Sequence, residues 1–286
     1  MNNSSISAKK KFQILLRLMK NNKFSPTPPL VENDQPINEP KQRSEIFNTL
    51  FASKSSVKDA CEEPPVLQRL QNIQTHENIN TSPIEVAKFV RSIKKSHRSH
   101  CGISGKFLSL ISQQISYSLS KLFNNHFEIG YFPDVWKIAH VTPVYKRSGP
   151  KNDKNNFRPI SILPTLSKVC ESVIHQRLLM HCIENDVISH RQAAYLKGDS
   201  TMSQLLYIQH QIRLSWGKSQ ISQAAFLDIS AAFDKVWHNG LLAKLGQIGI
   251  DGPLFWLFKS YLSNRKQCVI VEGVKFTLRD IKSGVP

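Results

Sequence analysis

The stretch Ala225-Phe226-Leu227-Asp228-Ile229-Ser230-Ala231-Ala232-Phe233-Asp234-Lys235-Val236-Trp237-His238 constrains this chain more than any other. A short apolar run breaks at a carboxylate into a polar turn, which predicts a β-strand with Asp228 at its end. An aspartate placed there offers hard oxygens to a divalent cation, and it also fits a plain turn cap.

At 286 residues and 40% hydrophobic composition the chain can bury a real core. Its formal net charge of +17 gives a surface that attracts polyanions. Nucleic acid is the leading partner for such an excess, with a basic but non-specific surface as the alternative. The five cysteines, Cys61, Cys101, Cys170, Cys182 and Cys268, include no Cys-x-x-Cys pair and are odd in number. That argues against a disulfide scaffold and fits a reducing, intracellular setting, cytoplasmic and/or nuclear. His97-Arg98-Ser99-His100-Cys101 has zinc-like spacing without a second half and reads as a solvated loop, so no structural zinc is assigned.

Three regions are expected. Residues 1–40 form a basic, Pro-rich flexible tail: up to Val31 they hold six basic residues and no acid, which gives nucleic-acid affinity or a basic targeting segment. Its apolar run at 12–19 is too short for a membrane span, is interrupted by Arg17 and lacks a cleavage site, so it predicts a helix. Residues 41–130 form a helical extension. Ser82-Pro83-Ile84-Glu85 caps a helix carrying Val86, Phe89, Val90 and Ile93, and a second helix is predicted over 107–127 with Leu108, Ile111, Ile115, Leu119 and Leu122 on one face.

Residues 131–286 are mixed. Strands are predicted near 141–145 and 158–163, joined by a loop within a span, 137–168, that holds seven basic residues against one acid. Helices follow at 166–182, at 201–217 behind Asp199-Ser200-Thr201, and at 253–262, and a hairpin turns at Glu272-Gly273. The fold class is α+β.

Asn156-Phe157-Arg158-Pro159-Ile160-Ser161, then Gln192-Ala193-Ala194-Tyr195-Leu196-Lys197-Gly198-Asp199-Ser200-Thr201, then 226–234, then Ser283-Gly284-Val285-Pro286 occur in a fixed order. From about Ile84 onward the chain resembles the reverse transcriptases of non-LTR, LINE-type and jockey-like retrotransposons, with fingers and a partial palm. Cys101-Gly102-Ile103-Ser104 is similar to a Gly-Pro-Asp-Gly-Ile stretch of that family without its Pro and Asp.

The resemblance implies an RNA-directed DNA polymerase acting on an RNA template, a DNA primer and dNTPs, with Mg²⁺ as cofactor. Two such ions about 3.5–4 Å apart activate the 3′-hydroxyl and stabilise the leaving pyrophosphate, which is why Asp is needed. Asp228 and the carbonyl of Ile229 are the implied metal ligands. Phe233 is the implied gate beneath the sugar, with core packing as the alternative. Asp234 either approaches the metal or caps a helix starting near Lys235. Arg158, with Lys146 or Lys154, is implied at the triphosphate, where the lysines also suit template or solvent. Lys197, Ser200, Thr201 and Gly284 are implied template contacts, although Leu196 and Asp199 depart from the family and Ser200 or Thr201 can cap a helix instead.

The family's Gln-Gly and Asp-Asp box do not follow Pro286 here. One aspartate holds two Mg²⁺ ions poorly, so the chain by itself is expected to be inactive. An exposed palm edge is expected to favour self-association, and no membrane contact is expected. The alternative is a non-catalytic basic module that binds RNA or DNA.

Overall fold

The computed structural model describes residues 28–32, 35–56, 63–64, 66–94, 99 and 102–285. The helix expected at 12–19, Cys61, and His97, His100 and Cys101 lie outside the described residues. Two compact units alternate along the chain: the first lies within 1–51, 140–161 and 268–278, the second within 52–139, 162–267 and 279–286.

In the first unit β1 (Leu30–Glu32) and β2 (Gln35–Ile37) pair antiparallel, and Leu30 is buried. Residues 30–37 of the expected flexible tail thus carry a short hairpin. Helix α1 (Pro40–Lys54) follows. A sheet of order β4-β3-β5-β6 is built from β3 (Ile138–Tyr145), β4 (Phe157–Ile162), β5 (Lys266–Val271) and β6 (Val274–Lys275), so both strands expected in the basic region are present. Glu272 and Gly273 take φ of 51° and 83°, the left-handed pair required by a two-residue hairpin. Phe47 is fully buried, with its ring 5.5 Å from Phe51 and 5.0 Å from Phe157. The Ser44 hydroxyl donates to the Val269 carbonyl at 2.7 Å, and Arg43 pairs with Glu272 at 3.0 Å.

The second unit is mainly helical: α2 (Pro83–Ser92), α3 (Gly105–Leu110), α4 (Ser112–Glu128), α5 (Thr165–Glu184), α6 (Thr201–Gly217), α7 (His238–Gln247) and α8 (Gly252–Leu262). Strand β7 (Arg279–Asp280) pairs antiparallel with the start of β5, Lys266 facing Asp280. Helix α2 begins as its sequence dictates: Ser82 accepts from the Glu85 amide, and Glu85 in turn accepts from Thr81 and pairs with Arg177 of α5. Helix α2 packs on α3, α4 and α5, while α4 and α7 each pack on α8.

The helix expected over 107–127 is two helices, broken at Ile111. Leu108 and Leu119 of the expected stripe are buried and Ile115 packs on the core, but Leu122 is exposed, and the buried face also takes in Ser112, Ser116, Ser120, Phe123 and Phe127. Serines let the helices approach closely, and their hydroxyls are satisfied locally. Ser116 donates to the Gln113 carbonyl, Ser120 to the Tyr117 carbonyl, and Ser112 accepts from Arg91.

The strand expected to end at Asp228 does not form. Residues 220–229 carry no regular structure, and Phe226, Leu227 and Ile229 are exposed. A strand needs a neighbour to take its backbone hydrogen bonds, and no described strand pairs with this run. Helix α6 forms behind its Ser200 cap, as expected, yet buries none of its residues.

Phe123 is fully buried, edge-on to Trp136 at 5.9 Å. Phe123→Ala should cost about 3–5 kcal/mol, read as a lower urea midpoint; an unchanged midpoint would contradict this core assignment.

Candidate functional site

The segment after Asp228 folds into a turn. Ala231 takes a φ of 54°, and the Lys235 amide donates to the Ala231 carbonyl at 3.0 Å. Helix α7 starts at His238 behind an extended Trp237, not near Lys235, so Asp234 is not its cap. Instead the Asp234 carbonyl accepts the Ser283 hydroxyl at 3.1 Å.

Residues 283–285 lie along this turn. The Gly284 amide donates to the Val236 carbonyl at 2.9 Å, and the Val285 amide to the Phe233 carbonyl at 3.0 Å. The Gly284 carbonyl accepts from Nε2 of His238 at 2.7 Å. Gly284 has a φ of +87°, and a Cβ there would sit 2.7 Å from the Asp234 carbonyl oxygen and 2.9 Å from that of Phe233. Both facts require glycine. Pro286 lies outside the described residues.

Burial chiefly lowers the His238 pKa, with a further push from Arg265, against a smaller opposing effect of the Gly284 carbonyl. The neutral ring therefore carries its proton on Nε2, where the carbonyl accepts it. Burial also raises the Asp234 carboxyl, opposed by Lys54.

Phe233 is 57% exposed, its ring edge-on to Tyr195 at 6.1 Å. It is therefore not part of the described core. Asp228 and Ile229 are exposed. Among the described residues no group of three His, Cys, Asp or Glu side chains converges as a metal site. One exposed carboxylate and one carbonyl do not fit a pair of Mg²⁺ ions.

Ser200 caps α6 by accepting from the Ser203 amide, and with Thr201, Tyr195 and Asp199 it lines a cavity of about 410 Å³. Lys197 is exposed beside it. In the first unit Arg158 is exposed on β4, and Lys146 donates to the Asn155 carbonyl at 2.8 Å. Lys154 pairs with Glu32. The roles of His238, Ser283 and Tyr195 were not read from the sequence. His238 closes the 225–238 stretch, but only the fold brings it to Gly284.

Residues 149–286 match the reverse transcriptase (RNA-dependent DNA polymerase) family. The chain is 32% identical over 205 residues to the probable RNA-directed DNA polymerase from transposon X-element of Drosophila melanogaster, covering 71% of this chain and 22% of that protein. It is 32% identical over 184 residues to the RNA-directed DNA polymerase from mobile element jockey of the same species, covering 64% and 20%. The polymerase of the same name from Drosophila funebris is 27% identical over 252 residues, covering 86% and 27%. The chain thus spans about a fifth to a quarter of the length of these relatives.

Residues 149–286 are of the reverse transcriptase class. The similarity is to the jockey-like, non-LTR retrotransposon branch of that family.

Since His238 is held below the ordinary imidazole value of about 6.5, the unfolded chain binds more protons than the folded one in that range. Stability should be full above that value and fall as pH drops below it. Burial acts the same way on His76 and His126, so His238→Gln should flatten only part of the slope in urea midpoints between neutral and mildly acid pH. A slope that is unchanged in the variant would contradict the His238 assignment.

Proposed function

We propose that this chain contributes the fingers and part of the palm of an RNA-directed DNA polymerase that extends a DNA primer on an RNA template with dNTPs. The observation that carries the proposal is Phe233. A large aromatic side chain stands exposed five residues after Asp228, on a turn fixed by a segment that requires glycine. A rigid, flat ring in that position can bear on a sugar and reject a 2′-hydroxyl sterically.

In this reading Asp228, with the Ile229 carbonyl, supplies part of a Mg²⁺ site in polymerases of the relatives' length. Arg158 forks two oxygens of the triphosphate and Lys146 adds a point charge. Lys197, Ser200, Thr201 and Gly284 lie on the template side. The net charge of +17 supports nucleic-acid binding, and the setting is intracellular. Self-association through an exposed palm edge belongs to the same proposal, and the exposure of Phe226, Leu227 and Ile229 supports it.

A second reading, a non-catalytic basic RNA- or DNA-binding module, is favoured by the lack, among the described residues, of a group of side chains converging with Asp228 as a metal site. Primer extension by a polymerase-length protein carrying this sequence separates the two. Asp228→Asn should reduce extension by more than about a hundredfold, beyond the loss expected for an outer-shell partner; wild-type extension by the variant would remove the metal role. Phe233→Ala should raise ribonucleotide incorporation relative to deoxyribonucleotide, and unchanged sugar selection would remove the gate.

A further inference from the structure

A cavity of about 440 Å³ in the second unit lies between the loop after α4 and helix α8. Gly130, at a φ of +65°, brings that loop against α8, where a Cβ would meet the Trp256 Cβ at 2.7 Å and the Pro253 carbonyl at 2.8 Å. Two aromatic rings line the cavity: Trp256 is 55% exposed and Tyr131 is 40% exposed. On α8 the apolar residues Leu254, Leu257 and Leu262 point into the core, so Trp256 is the large side chain that the core does not use.

Two ammonium groups accompany the rings. Lys259 Nζ sits 4.9 Å from the centre of the Trp256 ring. The Lys137 side chain is almost wholly buried, with Nζ 2.9 Å from Asp134 Oδ1, 3.5 Å from Ser260 Oγ and 5.8 Å from the Tyr131 ring centre. Tyr131 also donates to Asp134 Oδ2 at 3.3 Å. Asp134 is thus committed to Lys137, whose hydrogen bond holds its carboxyl below the usual range. Lys259 is left as the net charge of the cavity.

Exposed flat rings beside an uncompensated cation suit a ligand that alternates planar rings with anions. Single-stranded nucleic acid has that chemistry, and its bases stack on aromatic side chains while its phosphates take the cations. The overall charge of the chain favours the same polyanion over an apolar partner. We propose that the Tyr131–Trp256 cavity binds one unstacked base of a single-stranded nucleic acid, with Lys259 taking an adjacent phosphate. The site uses none of the residues assigned to polymerisation, and its test needs no polymerase activity.

The test is fluorescence anisotropy of labelled oligothymidylate and oligouridylate with the full chain, unfolding midpoints being matched first. Trp256→Ala should weaken binding roughly five- to a hundredfold, the range for one lost base stack, and Trp256→Phe should restore most of it. Lys259→Gln should weaken binding and lower the salt slope by about one. Trp216→Ala, a change at an exposed tryptophan of α6 outside the cavity, should leave affinity unchanged. Equal loss from Trp216→Ala and Trp256→Ala would overturn the proposal. So would an unaltered affinity in both Trp256→Ala and Lys259→Gln, or binding of polyglutamate with the same dependence on Trp256.

Discussion

The backbone pairing of residues 283–285 with the turn at 233–238 is the constraint on which the candidate site depends. Two amides donate to the Val236 and Phe233 carbonyls, and the Gly284 carbonyl accepts from His238. The approach is so close that the Asp234 and Phe233 carbonyl oxygens occupy the space of a side chain at Gly284. These bonds fix the turn without using the Phe233 side chain. The Phe233 ring can therefore stand in solvent on a well-defined backbone, as a steric selector requires.

Behind this turn the second unit is held by burial and by one enclosed polar cluster. Phe123, Phe127, Phe132 and Trp136 form edge-on and tilted ring contacts between α4 and the loop that follows it. Glu171 of α5 accepts from Ser167 at 3.0 Å and bonds to Tyr261 of α8. Arg265 stacks on the Tyr261 ring at 4.8 Å and donates to the Tyr261 carbonyl at 2.9 Å. Burial raises the Glu171 carboxyl, against hydrogen bonds and nearby cations that favour its charged form. A buried cluster with its partners in place specifies one packing, whereas an unmet member would cost it stability. Arg265 also leads into β5, and its carbonyl accepts from the Ile281 amide just before residues 283–285.

Local chemistry was the most legible part of the sequence. The Ser82 cap, the Ser200 cap and the hairpin turn at Glu272-Gly273 each act within a few residues, and each appears as read. The misread elements depend on distant partners. Ser112, Ser116 and Ser120 look like a solvent face until α2 packs on them. The apolar run before Asp228 has strand composition, but composition cannot supply the neighbouring strand. His238 and Asp234 gave no sign of their bonds to Gly284 and Ser283, which lie some fifty residues on. The four ordered motifs did reveal the family, because they report the chemistry preserved and not the packing.

Amide hydrogen exchange tests most directly the claim that 233–238 and 283–285 form one cooperative structure. Gly284→Ala is predicted to speed exchange at both segments together while the amides of α2 and α4 stay slow. Faster exchange confined to 283–285, with 233–238 unchanged, would show that the turn holds its shape without the clasp.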